Sequence, residues 1–270
     1  PGRPVSRRRW GQHFLADRHI AARIVELAGI AGLRVLEIGP GRGALSDLLA
    51  ERCSQLSMVE IDPRLADQLR QRYQGRADVR VVEGNILDLE PTGCIEMPAH
   101  VVANLPYETG TRIIAHLLAA RPRFTNMTVM LQREVADRLL ASENSPAYGR
   151  LSVMTALLAE VREGIKVPPD AFRPAPRVHS KVVRLRPYTR PPHQVGDDGL
   201  FDEVVSRAFS QRRKMLRNTL LAWLSNRLGG REQAMACFES AGIGLTQRPQ
   251  EVSVSRFAEL SRLVWEESDA

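Results

Sequence analysis

The stretch VVANLPY, residues 101–107, places a polar amide and an aromatic ring three residues apart after an apolar run. Two valines and an alanine predict a buried strand that ends at Asn104. The Asn104 side-chain oxygen and a backbone carbonyl, from Leu105 or Pro106, can accept both N–H bonds of a planar amine such as that of adenine. Pro106 stiffens the loop, and Tyr107 offers a flat face for a base. Taken alone, the four residues also fit a plain strand-to-helix turn.

A glycine-rich turn precedes this motif in LEIGPGRGA, residues 36–44, between a predicted strand and a predicted helix. Gly39 and Gly41 allow close backbone approach to a ligand, and Glu60, at the end of the next strand, can accept both hydroxyls of a ribose. The spacing Gly39-x-Gly41-x-x-Ala44 also satisfies the dinucleotide fingerprint, so the glycines alone leave NAD and S-adenosylmethionine open. The Asn104 motif favours the methyl donor, because a dehydrogenase has no evident use for it.

A third candidate is the proline-stiffened stretch VPPDAFRPAPRVHSKVVRL, residues 167–185, which carries one isolated aromatic, Phe172. We interpret it as a rigid lip whose ring closes on the second face of the base. The alternative is a hydrophobic staple that only holds the lip. No metal site is expected, because the three cysteines, Cys53, Cys94 and Cys237, are far apart and no ligand cluster is visible.

Strands that alternate with helices must position these residues, and the alternation predicts a parallel, doubly wound α/β sheet. A helix is expected over residues 12–30, and LSVMTALLAEV is either strand or helix. Proline, glycine and charge in RPYTRPPHQVGDDG mark a linker. The predicted organisation is a basic arm at 1–10, a cofactor-binding domain at 11–187, a linker at 188–199 and a small helical domain at 200–270. The tail is expected to begin with one long helix.

The chain is basic, with 38 Lys and Arg against 31 Asp and Glu, a net charge of +7 and a pI near 9.9. This balance favours a polyanionic partner, and no apolar run approaches the ~20 residues of a membrane span. The expected RNA-binding residues form two clusters, Arg7, Arg8 and Arg9 in the arm and Arg212, Arg213, Lys214 and Arg217 at one end of the long tail helix.

Seven ordered segments resemble a known family: GQHFL, EIGPGRGALS, VEID, VVANLPY, MLQREVADRLLA, AYGRLSV and VPPDAFRPAPRVHSKVVRL. Together they look like the ribosomal RNA adenine N6-dimethyltransferases. They are most similar to the branch that dimethylates two adjacent adenines near the 3′ end of small-subunit (16S) RNA. The resemblance implies a seven-stranded Rossmann-like methyltransferase sheet with a small C-terminal helical domain, and S-adenosylmethionine as cofactor.

Carried over by position, the resemblance implies that the cofactor is bound by His13, Leu15, Gly39, Glu60, Asn85 and Asn104. Tyr107 and Phe172 would clamp the target adenine. Three positions depart from the family pattern. His13 stands where Asn is usual, Asn85 stands where Asp is usual, and ETGTR, residues 108–112, replaces a Ser-Thr-Pro helix start.

The sequence therefore predicts a ribosomal RNA adenine dimethyltransferase that acts on small-subunit RNA or a pre-30S particle, with an added role in ribosome assembly. We expect a monomer without a membrane anchor, in a bacterial cytoplasm rather than a mitochondrial matrix. Two alternatives remain open at this point. One is an NAD-dependent dehydrogenase, and the other is an organellar RNA- or DNA-binding factor with secondary methyltransferase activity.

Overall fold

The computed structural model describes residues 13–121 and 123–269. The chain divides into two compact units, residues 1–136 with 160–189 and residues 137–159 with 190–270. The strands are β1 Phe14–Leu15, β2 Arg34–Ile38, β3 Gln55–Glu60, β4 Val79–Glu83, β5 Ala99–Asn104, β6 Phe124–Gln132, β7 Ala159–Val167, β8 Phe172–Arg173 and β9 Ser180–Pro187.

The helices alternate with these strands in the first unit and dominate the second. They are α1 Arg18–Ala28, α2 Ser46–Ala50, α3 Pro63–Arg72, α4 Pro91–Cys94, α5 Gly110–Ala119, α6 Arg133–Leu140, α7 Arg150–Leu158, α8 Asp198–Ala208, α9 Ala222–Arg227, α10 Arg231–Ser240 and α11 Val254–Asp269. Among the residues described, none of these helices is both long and apolar enough to cross a membrane.

The first unit contains the seven-stranded sheet that the family resemblance implies, in the order β4-β3-β2-β5-β6-β9-β7. The pairs β3–β4, β2–β3, β2–β5 and β5–β6 are parallel. The expectation of a wholly parallel sheet is wrong at β9, which runs antiparallel to β6. Apolar residues of the central strands, such as Leu36 and Met58, are fully buried, as expected for strands covered on both faces.

The first expected helix is shorter than predicted and is preceded by a strand. Helix α1 begins after Asp17, whose carboxylate accepts the backbone N–H groups of His19 and Ile20, a capping geometry that fixes where the helix starts. Phe14 and Leu15, predicted as helical, instead form β1, which pairs antiparallel with β8.

The second unit is helical, but its boundaries and its first helix differ from the prediction. Residues 137–159 belong to it by packing, because Tyr148, Val153 and Leu157 lie in its core with Phe201 and Phe257. The expected long helix is interrupted: α8 ends at 208, and a π-helical turn at 217–221 precedes α9. The connection between them carries the charged residues Arg212, Arg213 and Lys214, while Phe209 and Leu216 on either side of this charged run pack in the helical core.

Candidate active site

The two sequence motifs meet at the centre of the sheet. Strands β2 and β5 are parallel neighbours, and the strand order reverses between them, which opens a crevice at their carboxyl ends. Gly39 directly follows β2, and Asn104 is the last residue of β5. A Cβ atom built on Gly39 would lie 3.9 Å from the backbone oxygen of Asn104. The glycine turn and the amide therefore share one site.

The glycine turn is closed on one side by the N-terminal segment. Gly41 has a φ of +59°, and a Cβ atom there would lie 3.0 Å from the Phe14 ring. The Arg42 guanidinium covers that ring at 4.7 Å from its centroid. Only glycine fits this backbone and this contact without strain, so the turn depends on Gly41. Phe14 is a site residue that the sequence analysis did not single out.

Glu60 is buried beside the turn, at 2 % exposure. Its Oε2 accepts the Gly41 N–H and its Oε1 accepts the Asp62 N–H, each at 2.9 Å. Burial raises the pKa of Glu60, and these two amide hydrogen bonds oppose the shift. Each carboxylate oxygen keeps a second lone pair for a ribose hydroxyl. The Gly41 amide is already used by Glu60, so it does not face the pyrophosphate of a dinucleotide.

A second buried carboxylate, Glu37, lies two residues before Gly39. It is 2 % exposed, and its Oε2 has no hydrogen-bond partner among the described residues. Burial raises the pKa of Glu37 to about 8, and the negative charges of Glu60 and Asp47 add to the shift. The sequence analysis missed Glu37, although a single acid inside an otherwise apolar strand was a visible signal.

These two acids fit a positively charged nucleoside ligand. S-adenosylmethionine combines a ribose with a sulfonium and an ammonium group, and a cation beside Glu37 would favour the ionised form of its carboxyl group. The unpaired Glu37 oxygen is a group that such a cation would satisfy. The Gly41 amide, which the pyrophosphate of NAD would need, is already bonded to Glu60. The residues present therefore fit S-adenosylmethionine and argue against the dehydrogenase alternative.

Asn85 lies after β4 and is held in a local turn. Its Oδ1 accepts the Leu87 N–H at 3.1 Å, and its Nδ2 donates to Asp88 Oδ2 at 3.0 Å. This network fixes the orientation of the amide and leaves the oxygen one further lone pair. Asp88 also restores a negative charge close to the position where the family pattern has Asp. Contact of Asn85 with the cofactor stays a prediction.

Asn104 is held in the orientation that the proposed chemistry needs. Its Nδ2 donates to the His13 backbone oxygen at 3.3 Å, and no described residue donates to its Oδ1. The Pro106 carbonyl accepts the N–H groups of Thr109 and Gly110 at 3.3 and 2.9 Å. Within the described chain the Leu105 carbonyl has no such partner. The sequence did not decide whether the Leu105 or the Pro106 carbonyl accepts the second N–H of the amine. In the structure the Leu105 carbonyl is the available acceptor.

Two contacts hold the Tyr107 side chain in place, one at its hydroxyl and one on a face of its ring. Its hydroxyl lies 2.7 Å from Ser180 Oγ on β9, and burial raises the pKa of the phenol. The His13 ring stacks against it with centroids 5.6 Å apart at 30°, and His13 Nδ1 lies 2.8 Å from the Pro174 oxygen. His13 thus connects the loop that follows Asn104, here called the Asn104 loop, with the proline-stiffened lip at residues 167–185. No feature of the sequence indicated this connection. Its predicted contact with the cofactor remains a prediction.

Phe172 does not present its ring to the crevice. The residue is 0 % exposed and packs in the core of the first unit. Its backbone pairs with Leu15 across β1 and β8, and Leu15 is itself buried. The expected two-sided clamp with Tyr107 is therefore not formed in this structure, because an enclosed ring cannot stack on a base. Phe172 acts here as the staple that joins the lip to the N-terminal segment.

The departure at residues 108–112 is accommodated by a tight helix start. Helix α5 begins at Gly110, within this segment. A Cβ atom on Gly110 would lie 2.7 Å from Leu131 Cδ2. Because Gly110 has no side chain, Leu131 of β6 packs directly against the start of α5. This packing fixes the position of the Asn104 loop.

The predicted RNA-binding residues of the tail lie in the second unit. The basic turn, defined by Arg212, Arg213, Lys214 and Arg217, lies in and just after the irregular connection that follows α8, not at the end of a long helix. All four are exposed, but Arg212 Nη2 donates to the Pro146 carbonyl at 2.5 Å and so holds a neighbouring loop. The other cluster, at residues 7–9, lies outside the described residues.

Known proteins resemble this chain over nearly its whole length. The family model described as "Ribosomal RNA adenine dimethylase" matches residues 5–263. A curated relative from Leptothrix cholodnii, named "Ribosomal RNA small subunit methyltransferase A", is 40% identical over 96% of this chain and 92% of its own length. A relative of the same name from Methylibium petroleiphilum is 43% identical over 83% and 86% of the two chains.

Two solved structures share the fold. A dimethyladenosine transferase from Plasmodium falciparum superposes with a TM-score of 0.79 at 24% identity, covering 92% of this chain and 96% of the other. The 23S rRNA methyltransferase ErmE superposes with a TM-score of 0.69 at 30% identity, covering 95% of this chain and 100% of the other. Because the family model spans nearly the whole chain and the crevice carries the expected amide, this chain belongs to the ribosomal RNA adenine dimethylase family.

Proposed function

We propose that this protein transfers methyl groups from S-adenosylmethionine to the N6 atoms of two adjacent adenines near the 3′ end of small-subunit ribosomal RNA, giving N6,N6-dimethyladenine. Methyl transfer to ribosomal RNA adenine is the activity of the family to which the chain belongs. The observation that carries the proposal is the loop after Asn104, where no donor of the described residues reaches the Asn104 side-chain oxygen or the Leu105 carbonyl beside the glycine turn.

The two acceptors act on the amine of the target base. Asn104 Oδ1 and the Leu105 carbonyl each accept one N–H of the adenine amine, which holds the nitrogen and favours a pyramidal geometry with its lone pair freed from the ring. Because Asn104 Nδ2 is tied to the His13 backbone, the amide is preorganised before the base arrives. Positioning of this kind supplies much of the rate in a displacement reaction.

The cofactor side of the site uses the buried acids. When bound, S-adenosylmethionine would supply a methyl group on a positively charged sulfur. Attack of the adenine N6 on that methyl carbon would break the carbon–sulfur bond, release S-adenosylhomocysteine and pass one N6 proton to water. Glu60 would hold the ribose hydroxyls, and Glu37 would face the positive groups. Gly39 keeps the crevice floor free of side chain where the glycine turn meets Asn104.

The base is expected to stack on Tyr107, whose hydroxyl is fixed by Ser180. The His13 ring covers one face of Tyr107, so the base takes the other face or displaces His13. A role for Phe172 on the second face of the base requires the lip to open, because the ring is enclosed.

The small-subunit assignment rests on relatives at about 40% identity that carry this name. The bacterial source of these relatives supports a cytoplasmic location. We further propose a pre-30S particle as the natural partner, a monomeric state and an added assembly role. Arg213, Lys214 and Arg217 of the basic turn are the proposed RNA contacts in the second unit. A factor whose main role is assembly, with methylation secondary, stays the second candidate.

The proposal is tested with 30S particles from a bacterial strain that lacks adenine dimethylation. The purified protein and S-adenosylmethionine are added, and the RNA is digested and analysed by mass spectrometry. We expect two N6,N6-dimethyladenosines per small-subunit RNA and none in large-subunit RNA treated in parallel. Methylation confined to large-subunit RNA, or none in either, would overturn the proposal.

A further inference from the structure

A polar cavity of about 380 Å³ lies in the first unit, at the amino-terminal end of β6. Its walls include Asn126 of β6, Glu160 and Arg162 of β7, and Arg184 and Arg186 of β9. Asn126 pairs with His100 on β5, four residues before Asn104, so the cavity lies about 13 Å along the sheet from the reactive amide. It is separate from the crevice that holds the glycine turn.

The arginines of this cavity share one face of the sheet. Thr128 of β6 pairs with Arg184 of β9, and residues two apart on a strand point to the same side. Arg184 and Arg186 therefore project together, on the side of Asn126. Arg184 is half-buried and Arg186 is exposed, so the pair spans the cavity from its floor to its rim.

The charge of the cavity is positive and uncompensated. Arg162 Nε donates to Glu160 Oε1 at 2.7 Å, so these two charges cancel. Within the described chain, neither Arg184 nor Arg186 has an ion pair or a side-chain hydrogen bond. By contrast, many exposed arginines of this unit are paired, among them Arg70 with Asp67 and Glu83. Two guanidinium groups that lie two residues apart on one strand, without a partner among the described residues, match a bound anion.

The chemistry of the walls selects the kind of anion. The one aromatic residue of the cavity, Phe124, is 1 % exposed and offers no stacking surface. Apart from Pro187 and the Glu160 carboxylate that pairs with Arg162, the remaining lining groups are hydroxyls, an amide and guanidinium groups, which suit phosphate oxygens and not base edges read by stacking. We propose that Arg184 and Arg186, the arginine groove, bind the sugar-phosphate backbone of the RNA substrate outside the catalytic crevice. This inference rests on the proposed function.

The test is the salt dependence of RNA binding. The double substitution Arg184→Gln/Arg186→Gln is compared with Arg23→Gln/Arg52→Gln, which removes the same charge from two exposed arginines of the same unit that have no side-chain partner among the described residues. Binding of transcribed small-subunit ribosomal RNA is measured across salt concentrations. Two lost phosphate contacts should reduce the log–log slope by about 1.8 and the affinity at 0.15 M salt by about thirtyfold.

The control pair should change the slope by less than about 0.5, since its arginines make no phosphate contact in this account. Equal slope changes for both pairs, or none for the groove pair, would overturn the proposal. If the groove pair fails to fold, Arg186→Gln alone should give half the slope change. Loss of inorganic phosphate binding without any change in RNA binding would also overturn it, in favour of a small-anion site.

A second readout separates this inference from the proposed function. At saturating RNA and cofactor, single-turnover methyl transfer by the groove pair should equal that of the unmodified protein, because the groove touches no reacting atom. Absence of methyl transfer by the unmodified protein would contradict the proposed function. The salt dependence of RNA binding would then still show whether the arginine groove binds RNA.

Discussion

Replacing Glu37 by glutamine should remove a large pH dependence of stability. The side chain is 2 % exposed, and burial raises its pKa from the ordinary value of 4.5 to about 8. At pH values between these two, the Glu37 carboxyl group has lost its proton in the unfolded chain but keeps it in the folded chain. The folded state therefore binds more protons than the unfolded state, and stability falls as pH rises through this window.

The magnitude follows from the width of the window. Each pH unit of difference corresponds to 1.36 kcal/mol, so a shift of this size costs the protein about 5 kcal/mol by pH 8. Below the unfolded pKa both states hold the proton, and the cost is absent. Glutamine has the same shape and never ionises, so Glu37→Gln should match the unmodified protein near pH 4.5 and exceed it increasingly up to pH 8.

The assay is denaturant unfolding of both proteins without cofactor at several pH values from 4.5 to 8.5. The difference in unfolding free energy between the two proteins isolates Glu37, because the other titrating groups are common to both. We expect this difference to grow by several kcal/mol towards alkaline pH. A difference that stays constant with pH would refute the inference that Glu37 is buried without a charged partner.

Four further predictions concern cofactor binding, base stacking, stability and RNA binding. Glu60→Ala should weaken S-adenosylmethionine binding at least tenfold in calorimetry, because charge-assisted hydrogen bonds are worth about 1.5–3 kcal/mol; unchanged affinity would remove Glu60 from the site. Tyr107→Ala should cut single-turnover methyl transfer while cofactor affinity stays constant, whereas Phe172→Ala should lower the unfolding free energy by about 3–5 kcal/mol. Normal stability of the Phe172 variant would contradict its role as a staple. Neutralising Arg213, Lys214 and Arg217 of the basic turn together should reduce the slope of log RNA affinity against log salt concentration in a titration series. An unchanged slope would mean that these side chains are only solvated and do not contact RNA.

The central part of the fold and the site could be predicted from the sequence. Apolar runs that end in glycine or asparagine placed β2 and β5, and the rule for parallel sheets then brought Gly39 and Asn104 to one edge. Glu60 was found by its distance from the glycines. Each of these signals is local in the chain, and tertiary packing did not override it.

The misses have physical causes that do not lie in local sequence. The direction of β9 in the sheet is set by the connection that precedes the strand. The residues of β9 itself do not determine that direction. Phe172 was expected to close on the base because it is the one isolated aromatic residue of the proline-stiffened lip, but its backbone pairs with Leu15 and its ring lies buried in the core. The continuous helix expected after residue 200 breaks at the polar run before the π-helical turn, where an apolar stripe alone does not determine the ending.

The most direct test of the account is single-turnover methyl transfer by Asn104→Ala at saturating cofactor and RNA. Its Oδ1 and the Leu105 carbonyl are the two acceptors assigned to the adenine amine. Removing one preorganised hydrogen-bond partner of the reacting group costs about 10²–10³ in rate. We predict a loss of that size with a folded protein that retains RNA binding and loses some cofactor affinity. A rate within a few fold of the unmodified protein would contradict the central claim.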